Sequence, residues 1–301
     1  MKYKTLRLVA IVSLALSIVF FGGCIIQTIR LAKLEKSASA DASDIKRMQS
    51  QINELKKKLE EKEKRSNSSS APAAAPQKFP YDAEKIQKNG PKVAYLTFDD
   101  GPSKNTPLLL KTLKNLNVHA TFFVIGLNCQ KYPDAIKQEA AEGHAIGIHS
   151  WTHKYSYIYA NMTNFMQDFN QLNEYLTKQL GTAPDICRFP GGTNNTVSLF
   201  YNKDHIMKQI VQKVESMNVR PIDWNASAND AVSKVPTSKL IAHRVVNQIG
   251  NQHQPVILLH DMGRSTNTIN AIPLIVKKLR AQGYSFGILM AKTQAVMFQP
   301  S

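Results

Sequence analysis

The stretch VAYLTFDDG, residues 93–101, carries the strongest structural signal in this sequence. Its first six residues are apolar, aromatic or β-branched, which predicts a buried β-strand over residues 93–98. Asp99 and Asp100 close that strand. Because adjacent carboxylates repel each other, one of them is costly unless a cation or an arginine compensates its charge. Taken alone, two aspartates followed by glycine and proline are also typical of a simple turn.

Short apolar segments recur along the rest of the chain and alternate with segments of helical periodicity. Further strands are predicted at 120–125, 145–148, 219–223 and 256–259. Helices are predicted at 107–116, 133–142, 161–180 and 272–282. This alternation predicts an α/β fold with a parallel sheet or barrel. In such folds the chemistry gathers at the carboxyl ends of the strands.

Histidines follow two of these strands. His149 and His153 stand four residues apart in HSWTH, and His260 ends the strand at 256–259. One Asp and two His form a donor set for a divalent cation, which leaves a spare Asp as base and a spare His as acid. The pair shares one helix face or converges in a tight loop. A core position is the alternative for each histidine. A zinc-protease helix needs Glu after the first His, but Ser150 stands there.

Two further segments add charged, small and aromatic residues. Arg188 can pair with a carboxylate and keep it ionised, and Gly191 allows a backbone N–H to approach a substrate oxygen closely. The alternative for Arg188 is a surface position in a turn. Asp230 can orient a histidine, as the acid of a catalytic triad does. Trp224 is either a core residue or a platform for a sugar ring.

The chain is strongly basic, with a formal net charge of +16. Both the first 70 residues and the remainder contain more Lys and Arg than Asp and Glu. A basic surface suits nucleic acid, anionic lipid or an anionic wall polymer. No basic run is interleaved with aromatic residues, which argues against nucleic acid. Cys129 and Cys187, which remain beyond Cys24, show neither a CxxC motif nor a disulfide framework.

The N-terminus predicts a membrane anchor over residues 1–29. Basic residues precede an apolar stretch from 8 to 29, which has roughly the ~20 residues that a membrane span needs. A cleaved signal peptide is one alternative. Lipidation at Cys24 is another, because FGGC at 21–24 resembles a lipobox. Basic residues flank both ends of the stretch, so the charge bias does not fix the orientation.

Three more regions are predicted after the anchor. Residues 30–66 form a helical stalk with an a/d stripe that fits either a short coiled coil, and hence self-association, or a lone solvated helix. Residues 67–78 are a Pro/Ala/Ser linker without core-forming side chains. Residues 79–301 form the globular domain.

Taken in order, the motifs resemble those of the polysaccharide deacetylases of carbohydrate esterase family 4, the NodB-homology domain. The resemblance runs from about Lys92 to about Met290. The matching segments are 97–101 (Thr-Phe-Asp-Asp-Gly), 149–153 (His-Ser/Thr-x-x-His), 188–191 (Arg-x-Pro-x), 224–230 and 258–260 (Leu-x-His). It implies a distorted (β/α) barrel as the fold.

The resemblance also implies a role for each site residue. The implied metal ligands are Asp100, His149 and His153. The implied catalytic groups are Asp99 as base, His260 as acid, Arg188 supporting Asp99, and Asp230 pairing with His260. The implied substrate contacts are the Gly191 N–H at the oxyanion, Leu258 at the acetate pocket, and Trp224.

Two residues depart from the family pattern. Ala231 replaces a Trp, and Gly191 stands where many members have Tyr. Both changes trim the walls of the groove, so they affect substrate preference more than chemistry.

The activity implied is removal of N-acetyl groups from a cell-surface glycan, with peptidoglycan N-acetylglucosamine as the expected substrate. The expected metal is zinc, with cobalt, nickel or manganese as alternatives. Other substrates considered are chitin oligomers, xylan, an exopolysaccharide and N-acetylmuramic acid. A non-catalytic wall-binding protein is the rival class. With the anchor, this predicts a single-pass membrane protein whose catalytic domain is extracellular.

Overall fold

The computed structural model describes residues 90–301 except residue 294, together with four helical residues upstream, Ser50, Asn53, Glu54 and Lys57. The predicted anchor and linker, and the rest of the predicted stalk, lie outside the described residues. The chain divides into two units, Met1–Ala74 and Ala75–Ser301. Within the described part of the chain, no helix is both long and apolar enough to cross a membrane.

Eight parallel strands of the second unit form one sheet. They are β1 (Val93–Gly101), β2 (Thr121–Ile125), β3 (Ala145–Ser150), β4 (Ile186–Cys187), β5 (Arg220–Pro221), β6 (Ala226–Ser227), β7 (Val256–His260) and β8 (Ser285–Gly287). The order is β5-β4-β3-β2-β1-β7-β6, and β8 pairs with the start of β1. Among the described residues β5 and β6 are not paired with each other, so the sheet is a curled half-barrel. The predicted parallel α/β fold is confirmed.

Helices follow most of the strands. They are α1 (Thr106–Asn115), α2 (Gly126–Lys131), α3 (Pro133–Ala141), α4 (Tyr155–Ile158), α5 (Met162–Leu180), α6 (Ile206–Ser216), α7 (Ser238–Ile249) and α8 (Thr266–Ala281), with a 3₁₀ turn at Thr196–Phe200. The longest, α5, begins at Asn161, whose side chain accepts the N–H of Asn164, and ends at Gly181 in the left-handed conformation.

The side chains of β1 alternate between two environments. Those that join the large core between sheet and helices are Ala94, Leu96 and Phe98. Tyr95 instead belongs to a smaller apolar cluster that includes Phe123 and Ile222. Because strand side chains have a period of two, Thr97 and Asp99 follow Tyr95 onto that concave face. The apolar pattern of the strand therefore directs a carboxylate to the inside of the half-barrel.

Candidate metal centre and active site

The carboxyl ends of β1, β3 and β7 meet at a cavity of about 390 Å³. Its lining residues are Asp99, Asp100, His149, His153, Tyr155, Gly191, Trp224, Ala231, Leu258, His260, Met262 and Arg264. Eight of the ten predicted site residues line this cavity. The other two, Arg188 and Asp230, lie directly behind it and contact residues of its wall.

A bulge at the end of β1 turns both aspartates toward this cavity. The register between β1 and β2 shifts between Asp99 and Gly101, and Asp100 has a φ of 70°. In an unbroken strand, consecutive side chains point to opposite faces, so Asp100 would face the helices. A positive φ is costly for an aspartate and persists where the surroundings impose it, commonly at functional sites.

Asp100, His149 and His153 bring three ligand atoms within 4.8 Å of one another. Asp100 Oδ1 lies 3.4 Å from His149 Nε2 and 3.3 Å from His153 Nε2. That oxygen is buried, and none of the described residues hydrogen-bonds to it. Burial raises the pKa of Asp100, but the close approach of His149 and the charges of His149, His153 and His260 outweigh this effect and lower the pKa below its ordinary value. The group is therefore a carboxylate, as a metal ligand must be.

The tautomer of His149 also suits a metal. Its Nδ1 lies 2.6 Å from the carbonyl oxygen of Arg188. Since a carbonyl only accepts, Nδ1 carries the proton and donates it, which leaves the lone pair on Nε2 facing Asp100. An orphaned carboxylate oxygen beside two imidazole nitrogens fits a divalent cation.

Asp168, which the sequence analysis missed, fixes the loop that carries the two histidines. Its carboxylate accepts hydrogen bonds from the hydroxyl of Ser150, the N–H of Trp151, and both the N–H and the hydroxyl of Thr152. The loop is tight, not helical, and His153 adopts a φ of 54°. An acidic residue inside the buried stripe of α5 was the available signal.

Arg188 holds Asp99 from below the cavity. Its Nη1 donates to Asp99 Oδ1 at 2.8 Å and to Thr97 Oγ1 at 2.6 Å. Its Nε and Nη2 donate to the carbonyl oxygens of Ile222 and Asp223. The guanidinium also stacks over the ring of Phe123, 4.3 Å from its centroid. A fully buried arginine that makes four hydrogen bonds is a rigid support for one carboxylate.

His260 lies in the opposite wall of the cavity and is hydrogen-bonded to Asp230. Its Nδ1 donates to Asp230 Oδ1 at 2.8 Å, while its backbone N–H and the hydroxyl of Thr268 donate to Oδ2. Burial lowers the pKa of His260, but the hydrogen bond to Asp230 and the charges of Asp230, Asp99 and Asp100 outweigh it, so the pKa is raised. Nε2 remains free to exchange a proton with a bound molecule.

The predicted substrate contacts form other parts of the wall. Trp224 is half-buried against Phe298 and also lines the cavity, so it belongs both to the inner apolar cluster and to the groove. Gly191 has a φ of 83°, and Leu258 is buried beside His260. Tyr155, Met262 and Arg264 also line the cavity and are not among the predicted site residues. Nothing in their sequence positions separates them from ordinary surface residues.

Comparisons with known proteins show which family the chain belongs to. The polysaccharide deacetylase family model matches residues 86–210. A peptidoglycan-N-acetylglucosamine deacetylase of Bacillus cereus is 34% identical over 200 residues, which cover 65% of this chain and 68% of that protein. A peptidoglycan-N-acetylmuramic acid deacetylase of Bacillus subtilis is also 34% identical, over 64% of this chain and 37% of that protein.

A solved structure shares the fold. It is the catalytic domain of a peptidoglycan N-acetylglucosamine deacetylase from Eubacterium rectale, with a TM-score of 0.67 and 34% sequence identity. The alignment covers 78% of this chain and 99% of that domain. The likeness thus spans the half-barrel and its cavity. The chain belongs to the polysaccharide deacetylase family.

Proposed function

We propose that this protein is a metal-dependent hydrolase that removes N-acetyl groups from a cell-wall glycan, most directly the N-acetylglucosamine of peptidoglycan. One observation carries the proposal. Three candidate metal ligands share one cavity with two candidate proton-transfer groups, Asp99 and His260. Arg188 contacts Asp99, and Asp230 contacts His260. Metal-assisted hydrolysis of an amide uses these three functions together.

The site residues divide the reaction between them. A divalent cation held by Asp100, His149 and His153 would polarise the amide carbonyl and acidify a water molecule. Asp99, held in place by Arg188, accepts the proton of the attacking water. His260, kept protonated by Asp230, gives a proton from Nε2 to the departing amine. Acetate then leaves beside Leu258.

Zinc is the metal we propose. Two imidazole nitrogens and one carboxylate are typical of catalytic zinc sites with an open position. Cobalt, nickel and manganese accept the same donors and are the alternatives to be measured.

The names of the relatives support peptidoglycan as the polymer. The Bacillus cereus and Eubacterium rectale proteins are named for N-acetylglucosamine, and the Bacillus subtilis protein for N-acetylmuramic acid. We favour glucosamine, with muramic acid as the second candidate. Chitin oligomers, xylan and exopolysaccharide are further alternatives. A purely wall-binding protein would not need the complete proton-transfer pair.

We also propose that the enzyme works at the outer face of the cell membrane. The apolar stretch at 8–29 serves as a single-pass anchor, and the stalk and linker carry the catalytic domain, with or without self-association of the stalk. A tether of this kind restricts the enzyme to polymer near the membrane. Protease added to wall-stripped intact cells should release the domain by cutting within 67–78. Protection of that segment would reverse the proposed orientation.

The contact between Asp230 and His260 predicts a shift in the pH dependence of activity when Asp230 is replaced. In Asp230→Asn the negative charge that raises the pKa of His260 is lost, and a hydrogen bond from Nδ1 to a neutral amide oxygen is weaker than one to a carboxylate. The acid form of His260 should then disappear at a lower pH, so the alkaline limb of the kcat profile moves down while the acidic limb stays. Steady-state acetate release from pH 5 to 10 measures this. An unmoved alkaline limb would remove His260 from the role of acid.

The proposal is tested by acetate release from purified peptidoglycan, with and without a chelator. We expect release by the wild-type protein, its loss with chelator, and recovery when Zn²⁺ is restored. Peptidoglycan N-acetylated only on muramic acid and chitin oligomers serve as parallel substrates. Absence of release from every N-acetylated glycan, in metal-loaded protein, would refute a deacetylase function.

A further inference from the structure

Tyr155 lines the same cavity as the proposed metal ligands Asp100, His149 and His153. It begins α4, two residues after His153, and its ring packs edge-on against His153 and Tyr159 at 5.5 and 5.6 Å between centroids. Among the described residues, none forms a hydrogen bond with its Oη. The neighbouring tyrosines differ: Tyr157 donates to Gln167 Oε1, and Tyr159 donates to the carbonyl oxygen of Pro190.

The Tyr155 hydroxyl lies beside the backbone of Gly191. A Cβ added at Gly191 would stand 3.2 Å from Tyr155 Oη and 3.0 Å from Asn195 Cγ. The absence of a side chain at Gly191 therefore leaves the hydroxyl directly next to the main chain. Gly191 is exposed to the cavity with a φ of 83°, and its N–H has no acceptor among the described residues. The next N–H, of Gly192, is bonded to the carbonyl oxygen of Phe189.

Tyr155 and Gly191 thus both line the cavity that holds the proposed metal ligands. Within the described part of the chain, neither the Tyr155 hydroxyl nor the Gly191 N–H has a hydrogen-bond partner. Such paired donors suit an oxygen on which negative charge develops, because preorganised hydrogen bonds strengthen as the charge forms. A tyrosine hydroxyl held by two ring contacts adds such a bond with little loss of side-chain freedom.

We propose that Tyr155 is a catalytic residue of the deacetylation. Its hydroxyl donates a hydrogen bond, together with the Gly191 N–H, to the acetamide carbonyl oxygen while that oxygen becomes an oxyanion. The inference rests on the proposed function, since it assigns a donor to the same reaction. A bond formed mainly in the transition state should contribute to kcat rather than to KM.

Tyr155→Phe tests the inference in the full-length, metal-loaded protein. The variant keeps the ring contacts with His153 and Tyr159 and removes only the hydroxyl. We expect kcat for acetate release to fall roughly 10- to 100-fold, as for the loss of one hydrogen bond to a developing charge, with KM unchanged. Bound zinc per chain and the melting temperature should match the wild type. Tyr157 lies two residues further along α4, and its hydroxyl donates to Gln167. Tyr157→Phe is therefore the matched control and should retain wild-type kcat.

Three results would overturn the inference. Wild-type kcat in Tyr155→Phe would show that the hydroxyl is not used. A rise in KM at constant kcat would make Tyr155 a ground-state sugar contact. Loss of bound zinc would mean that Tyr155 only supports His153. If the wild-type protein itself released no acetate, the proposed function would fail instead, so the two failures are distinguishable.

Discussion

Replacing Asp99 by Asn should abolish most of the activity while leaving the metal in place. The amide has nearly the shape of the carboxylate, but it cannot accept a proton from water. General-base help is typically worth on the order of 10²-fold or more, so kcat should fall by at least that factor. Arg188 keeps its bonds to Thr97, Ile222 and Asp223, so the fold should survive the loss of its charged partner. Acetate release and bound zinc per chain measure the two effects separately.

A matched control for this change is Asp134→Asn. Asp134 is an exposed carboxylate in the first turn of α3, so the same chemical change there should leave kcat and zinc content as in the wild type. Zinc lost together with activity in Asp99→Asn would make Asp99 a ligand instead of the base. Full activity would assign the base to another group.

The parts of the site that the sequence predicts are those governed by local rules. The period of two along β1 places Asp99 inside, and the same rule places His149 on β3 and His260 on β7. Parallel strands bring their carboxyl ends to one edge, so these side chains had to converge. Long periodic helices were also predictable, since α5 lies within 161–180 as expected.

Other features depend on contacts that no sequence window contains. β4 and β6 have two residues each, which is too short for any periodicity to appear. β5 lies within the strand predicted at 219–223, but it keeps only two residues of it. Helices α6 and α7 were missed, and α8 begins at Thr266, six residues before the predicted start. Pro273 sits inside α8, although proline usually marks a helix start.

The bulge at Asp100 and the loop carried by Asp168 share a physical cause. Each puts a proposed metal ligand in the left-handed region, at Asp100 and His153, where local preference opposes it. Four hydrogen bonds from the HSWTH segment to the buried carboxylate of Asp168 fix the conformation of this loop. Local propensity fails here because the site is imposed by distant residues.

His153→Ala should have the largest effect on the metal. It reduces the ligand set to Asp100 and His149, and zinc sites rarely function with two protein ligands. Loss of a residue that only hydrogen-bonds to a metal ligand lowers metal affinity or activity about 10- to 100-fold. Loss of the ligand itself should therefore lower activity on the order of 10³-fold, measured at the zinc concentration that saturates the wild type. Zinc titration by calorimetry and acetate release measure both.

Replacing His153 tests the metal site more directly than replacing His149, because His153 is less buried and makes fewer contacts that stabilise the fold. The His149 ring is almost fully buried and bonded to the Arg188 carbonyl, so its removal would also leave a cavity and an unpaired acceptor. The side chain of His153 is 30% exposed, and its Nε2 lies 3.3 Å from Asp100 Oδ1. Among the described residues, its ring makes no hydrogen bond like that of His149 with the main chain. His243→Ala, at an exposed position on α7, controls for loss of a histidine and should change neither quantity. Stoichiometric tight zinc with full activity in His153→Ala would refute the ligand set, and with it the division of labour between Asp100 and Asp99.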